Sequence, residues 1–250
     1  MGRLDNKVAI VTGAGAGFGE AIAKHYAEEG AKTLICDISD EAGERVAASS
    51  DALAFQHVDV SKKADWDAAI EKAVKLWGKV DILVNNAGTT YRNKATNDVT
   101  EAEFDRVFNV NVKGVYLGCN AFTAQVMKQG TPGAIVNIAS VGAHRPRPGL
   151  VWYNASKGAI ANATMGLAAE YGPKKIRVNS ICPLATMTGL LEEFIGGTIT
   201  DDVKAKIVSQ VPLGRLGEVR DVSSTAVWLA SDESSFVTGV NLDVDGGRAI

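Results

Sequence analysis

Cysteine is scarce in this 250-residue chain: Cys36, Cys119 and Cys182 are an odd number and widely spaced. That excludes a disulfide framework and supplies no paired-cysteine zinc motif, so the three read as reduced thiols and no metal is expected. Long runs of one charge are missing too. The 26 basic and 29 acidic residues leave a formal net charge of -3, and the basic ones never form a block of five or six. A nucleic-acid footprint is therefore absent, and the expected partner is a small molecule. No apolar stretch reaches the roughly 20 residues that cross a bilayer, which argues against a membrane role. The opening Met1-Gly2-Arg3-Leu4-Asp5-Asn6-Lys7 is charged and matches neither a secretory signal nor a lipidation site, so the expected location is cytoplasmic. In that setting the glycosylation sequons headed by Asn154 and Asn162 are coincidental. No linker, composition break or internal repeat divides the chain, and a single domain spanning residues 1–250 is the economical reading.

What is present is alternation. Short runs rich in Val and Ile recur between segments of helical period, the pattern of βαβ units feeding a parallel sheet. Seven strands are predicted, near Val8 to Thr12, Thr33 to Cys36, Ala52 to His57, Ile82 to Asn85, Ala134 to Ala139, Ile176 to Ile181 and Val240 to Val244. Most are apolar at successive positions, as strands covered on both faces must be. Helices are predicted at Gly17 to Glu29, Lys62 to Trp77, Glu101 to Lys128, Asn154 to Tyr171 and Val219 to Ala230. The fold class is therefore α/β, a Rossmann-type doubly wound sheet of about seven strands. Residues 186–210, with three glycines among apolar and acidic residues, read as an irregular excursion and a substrate lid.

The run Thr12-Gly13-Ala14-Gly15-Ala16-Gly17-Phe18-Gly19 follows the first strand and opens a helix. Glycines there permit a tight turn and a close approach of backbone N–H groups to a pyrophosphate, whose charge the helix N-terminus favours. Asp37 lies 18 residues beyond Gly19, at the end of the second strand, where a carboxylate accepts hydrogen bonds from both ribose hydroxyls. Neither Ala16 nor Ile38 offers a cation for a 2′-phosphate, so NAD is expected over NADP.

Tyr153 and Lys157 stand four residues apart in a helical segment and share one face. Tyr171 and Lys175 have the same spacing, but Gly172-Pro173 between them breaks the helix. Hydride transfer to a ketone needs a proton at oxygen, and the reverse reaction needs a base. A free tyrosine ionises near pH 10, so roughly 4 kcal/mol must favour the phenolate to bring it to neutrality. A nearby ammonium and an oxidised nicotinamide both push that way. Ser140, at the end of the fifth strand, is placed to hydrogen-bond the substrate oxygen.

Together these motifs resemble the short-chain dehydrogenase/reductase family over essentially the full length. Thr12 to Gly19 is similar to the family's TGxxxGxG loop, and His57-Val58-Asp59-Val60 to its adenine-contacting segment. Asn85-Asn86-Ala87-Gly88 matches its NNAG turn, and Tyr153-Asn154-Ala155-Ser156-Lys157 its YxxxK signature. The resemblance implies a catalytic tetrad of Asn111, Ser140, Tyr153 and Lys157, with Asn111 holding a water in the proton relay. It implies NAD contacts from Gly13, Gly17, Phe18, Gly19, Asp37, Asp59, Val60, Asn86, Ala87, Gly88, Tyr153, Lys157, Pro183 and Thr188. Two departures stand out: Leu184 follows Pro183 where the family has glycine, and Phe18 replaces a common isoleucine. The resemblance also implies a homotetramer, joined through residues 101–128 and 154–171 and through the segment around Asp245-Gly246-Gly247.

The substrate is less legible. His144, Arg147, Trp152 and Leu190, with Ser140, are the candidate contacts. Arg145 and Arg147 either receive an anionic substrate or are solvated or paired across a subunit contact. Trp152, Tyr91, Leu190, Leu191 and Phe194 are either apolar walls and lid or core. The expected reaction is hydride transfer between NAD(H) and a secondary alcohol or ketone, of sugar, polyol, cyclic-alcohol or hydroxysteroid type. Alternatives are a 3-oxoacyl thioester reductase and a non-catalytic NAD-binding redox sensor. An intact tetrad favours an enzyme.

Overall fold

A computed structural model describes residues 2–184, 186 and 191–250. Seven parallel strands form one sheet in the order β3-β2-β1-β4-β5-β6-β7. They are β1 Val8–Thr12, β2 Lys32–Asp37, β3 Leu53–His57, β4 Ile82–Asn85, β5 Gly133–Ile138, β6 Ile176–Pro183 and β7 Asn241–Val244. The inner strands β1, β4 and β5 are buried at every position, the reason they read as continuous apolar runs. The chain order reverses between β1 and β4, opening a crevice above their carboxyl ends.

Helices cover both faces: α1 Gly17–Glu28, α2 Asp40–Ala47, α3 Lys63–Trp77, α4 Glu101–Phe108, α5 Gly114–Gln129, α6 Val151–Tyr171, α7 Leu191–Ile195, α8 Asp201–Val208 and α9 Val219–Ala230. One core, around Trp66, Phe122 and Ile160, lies under α3, α5 and α6. The other, around Ile22, Tyr26 and Val227, lies under α1 and α9.

Four differences from the sequence expectation have physical causes. The predicted helix from Glu101 to Lys128 is interrupted by a π-turn over Asn109–Lys113, which buries Asn111. α6 starts at Val151, three residues early, because the Trp152 N–H finds the Tyr91 hydroxyl at 3.0 Å, a partner far away in sequence. α2 was not anticipated: it is eight residues long with Gly43 inside, and the Ser39 hydroxyl caps it by accepting from Ala42 N. The excursion after β6 contains two short helices, α7 and α8, the second capped by the Thr200 hydroxyl.

Candidate active site

The glycine loop after β1 and the turn after β4 are laced together. The Thr12 hydroxyl accepts from Asn86 N and Ala87 N, both at 3.1 Å, and Asn86 Nδ2 donates to the carbonyls of Thr12 and Gly13 at 2.8 and 3.0 Å. Gly13 adopts φ +60°, which its lack of a side chain permits. A Cβ on Gly19 would sit 2.2 Å from the Gly13 carbonyl oxygen and 2.5 Å from Asn86 Nδ2. Gly19 therefore shapes the loop from behind and is not among the residues that line the cavity.

Above this lacing lies a cavity of about 730 Å³. One end is walled by Gly13, Gly17, Phe18, Asp37, Asp59 and Val60, and Asn86, Ala87, Gly88 and Pro183 line it further on. Asp37 accepts from Gly15 N at 2.8 Å and Ser39 N at 2.9 Å, so its carboxylate is pinned at the rim. Arg45, which sequence reading passed over, donates to the Gly15 carbonyl at 2.8 Å. Its charge is already met by Glu20, at 2.7 and 3.0 Å, and that bond, with Lys24, pushes the Glu20 carboxyl down to about 2. Asp59 is held low chiefly by the Ser61 hydroxyl, which donates to it at 2.7 Å. A backbone cradle, a helix N-terminus and an acidic rim fit a dinucleotide whose ribose carries free hydroxyls.

At the other end α6 presents Tyr153 and Lys157 together, with the ammonium 5.9 Å from the phenol ring centroid. Lys157 Nζ donates to the Ile138 carbonyl at 2.7 Å. Both groups are buried, and burial is the main cause of both shifts: Tyr153 is pushed up to about 12 and Lys157 down to about 8. The expectation that the lysine brings the phenol down is thus not met by the protein alone. The groups opposing burial at Tyr153 are the Ser140 hydroxyl and the Arg147 guanidinium. Ser140 Oγ also accepts from Gly142 N at 3.0 Å, which fixes the start of the following turn.

Asn111 stands behind the cavity wall. Its side chain accepts from Thr89 N at 2.8 Å and donates to the Thr89 carbonyl at 2.9 Å and the Ser156 hydroxyl at 3.0 Å. Ser156, fully buried and unmarked by the sequence reading, donates in turn to the Tyr153 carbonyl at 2.7 Å. The amide therefore ties the turn after β4 to the catalytic turn of α6.

Substrate-side expectations divide. Arg147 and Phe194 line the cavity, and the Phe194 ring lies 5.0 Å from that of Tyr153. His144 does not line it: its Nε2 lies 3.1 Å from an Asp243 carboxylate oxygen on β7, beside the Cys182 thiol. Trp152 also points elsewhere, its ring edge-on to Phe104 at 5.4 Å. Tyr91 and Leu191 are buried away from the cavity. Thr188 and Leu190 lie outside the described residues. The cavity gains Arg106, Leu150, Gln210 and Arg248, none of which carries a sequence signal.

A dinucleotide cradle and a buried tyrosine–lysine pair at one crevice define a Rossmann-type oxidoreductase. A family description, Enoyl-(Acyl carrier protein) reductase, matches residues 13–249. The chain is 43% identical over 251 residues to 4-formylbenzenesulfonate dehydrogenase of Comamonas testosteroni, covering 99% of each. It is 38% identical over 250 residues to 2-(S)-hydroxypropyl-CoM dehydrogenase 3 of Xanthobacter autotrophicus, covering 98% of this chain and 97% of the other. The crystal structure of 3-ketoacyl-(acyl-carrier-protein) reductase from Brucella melitensis complexed with NADH superposes with a TM-score of 0.94, at 45% identity and covering 99% and 100% of the chains. The chain belongs to the short-chain dehydrogenase/reductase family. It is an NAD-dependent oxidoreductase acting on CH–OH groups and the corresponding carbonyls.

Proposed function

We propose that the enzyme oxidises a secondary alcohol, of sugar, polyol, cyclic-alcohol or hydroxysteroid type, and reduces the matching ketone, with Tyr153 as the proton-transferring group. The observation that carries this reading is the buried Tyr153 phenol, with Lys157 on the same helix face and Ser140 lining the same cavity. Bound NAD supplies the hydride acceptor. Ser140 orients the substrate oxygen, and Tyr153 Oη takes its proton during oxidation or gives it during reduction. Lys157, braced on the Ile138 carbonyl, holds the nicotinamide ribose and supplies positive charge beside the phenol. Asn111, through Ser156, keeps the Tyr153 turn in place for the proton relay. Gly13, Gly17 and Phe18 cradle the pyrophosphate, Asp37 takes the adenosine ribose, and Asp59 with Val60 flanks the adenine.

The whole chain acts as one catalytic domain, with residues 186–210 as its lid, in a cytoplasmic homotetramer. Tyr116, Met127 and Met165 on α5 and α6 expose 61%, 47% and 47% of their surfaces, apolar area that a helix-paired interface would cover. Among the described residues no helix is long and apolar enough to cross a membrane.

A panel of secondary alcohols with NAD and with NADP tests this function. The expected outcome is NAD-linked oxidation with kcat/KM at least about tenfold above that with NADP, since the Asp37 carboxylate repels a 2′-phosphate. Equal use of both cofactors would contradict the role given to Asp37. Aromatic and sulfonated alcohols belong in the panel, because the dehydrogenase at 43% identity is named for a sulfonated aromatic aldehyde.

A further inference from the structure

Charge is segregated along the cavity. Among the described residues its only carboxylates, Asp37 and Asp59, stand where β2 and β3 finish, whereas Arg145, Arg147 and Arg248 line it from other segments, as does Arg106. The first two come from the loop between β5 and α6, the third from the C-terminal tail.

These three arginines differ from many others in the molecule. Arg3, Arg45, Arg215 and Arg220 each pair with a carboxylate at 2.6 to 2.9 Å. Arg145 instead donates to the main-chain oxygens of Arg248 and Ile250, Arg147 to the Phe194 carbonyl at 3.4 Å, and Arg248 to Gln210 Oε1 at 2.6 Å. For Arg147 and Arg248 a carbonyl and an amide oxygen orient the guanidinium, and among the described residues no carboxylate pairs with either. Burial pushes Arg147 down, and Arg248 adds like-charge repulsion. Two mutually repelling cations in one wall, with no carboxylate paired to either among the described residues, are half of an anion site.

The geometry says where the anion sits. Arg147 Cζ lies 5.9 Å from the Phe194 ring centroid, and that ring lies 5.0 Å from the Tyr153 ring. A flat substrate body resting on Phe194 would therefore reach from the catalytic phenol to the guanidinium.

We propose that the substrate carries a single sulfonate or carboxylate group about one ring's width from the reacting carbon, and that Arg147, backed by Arg248, receives that anion. This rests on the dehydrogenase reading above and names the substrate class for it. A guanidinium offers paired donors to either oxyanion, so both share the recognising chemistry.

Three matched alcohols test the assignment with NAD: 1-(4-sulfophenyl)ethanol, 1-(4-carboxyphenyl)ethanol and neutral 1-phenylethanol. One charged member is expected to exceed the neutral one in kcat/KM by at least about 30-fold, the worth of a charge-assisted hydrogen bond. Which of the two wins identifies the oxyanion. Arg147→Met should bring the charged-to-neutral ratio within about threefold of one, and Arg147→Lys should restore part of it. Calorimetry of the NAD-saturated protein with benzenesulfonate reads the site without turnover. Its Kd is expected to weaken at least about tenfold in Arg147→Met, while the Kd for NAD, which also reports an intact fold, stays within about threefold. Equal kcat/KM for all three alcohols would overturn the proposal, as would absent or Arg147-independent benzenesulfonate binding. A parallel loss of NAD binding would overturn it too, by making Arg147 a cofactor residue. Arg147-dependent benzenesulfonate binding with no alcohol turned over would uphold the anion site and count against the oxidation chemistry.

Discussion

The two ends of the cavity are built by different means. The dinucleotide end is made of backbone: the Thr12 hydroxyl, the Asn86 amide and the Gly13 carbonyl lock two strand-ending turns together, and glycine is required because a Cβ would strike main-chain atoms. The substrate end is made of side chains from several separate segments: α4, the loop after β5, α6, α7, the stretch around α8 and the C-terminal tail. A backbone cradle suits a ligand that does not vary. A side-chain wall can be rewritten without disturbing the sheet, which is how one scaffold serves many substrates.

Substitutions that trespass across this division would break or sharpen it. The largest effect is expected at Gly19: Gly19→Ala should raise the Kd for NAD by about 100-fold, because the new methyl meets the Gly13 carbonyl rather than a movable side chain. By contrast, Phe194→Ala should raise the substrate KM by up to about tenfold and leave NAD binding alone, measured by fluorescence titration beside steady-state kinetics. Equal damage to NAD binding from both would end the distinction.

Next in size, Asp37→Ala should move the NADP-to-NAD ratio of kcat/KM upward by about tenfold, through loss of repulsion and of ribose hydrogen bonds. Ser156→Ala should lower kcat by about three- to tenfold, since it removes both hydrogen bonds that link Asn111 to the catalytic turn. KM should hardly change, as the serine lies outside the cavity lining.

The smallest effect is a pH-dependent one at the rim. Glu20 is held down to about 2 by its bond to Arg45, below its unfolded value of 4.5, so its stabilising contribution is present above that value and is lost as pH falls towards 2. Arg45→Met should therefore lower Tm at pH 7 by a small amount that disappears near pH 2, as thermal melts across pH would register.

The same division explains what the sequence disclosed. The Gly13 to Gly19 loop, Asp37 and the Tyr153–Lys157 pair were legible because each satisfies a local rule: a turn after a strand, an acid at a strand end, a helical spacing. Strand positions were legible because burial on both faces leaves unbroken apolar runs. What stayed hidden depends on distant partners. His144 looks like a pocket residue until Asp243, 99 positions later, is seen 3.1 Å away. Trp152 follows Phe104, and the π-turn at Asn111 follows hydrogen bonds to Thr89 and Ser156. A buried amide ladder from Asn85 to Asn137 to Thr164 is equally invisible, since each member sits in a different element. Arg248 belongs to the cavity only because the chain's end folds back over it.

Catalysis turns on one proton. Burial keeps Tyr153 protonated up to about 12 in the protein alone, so alcohol oxidation, which needs the phenolate, should accelerate as pH rises through the alkaline range. Single-turnover NADH formation against pH, in the wild type and in Tyr153→Phe with NAD binding measured alongside, tests this most directly. The wild-type limb should rise, and Tyr153→Phe should show normal NAD affinity with a flat rate lowered about 10³-fold. A variant that kept the rising limb and more than about a tenth of the rate would show that another group moves the proton.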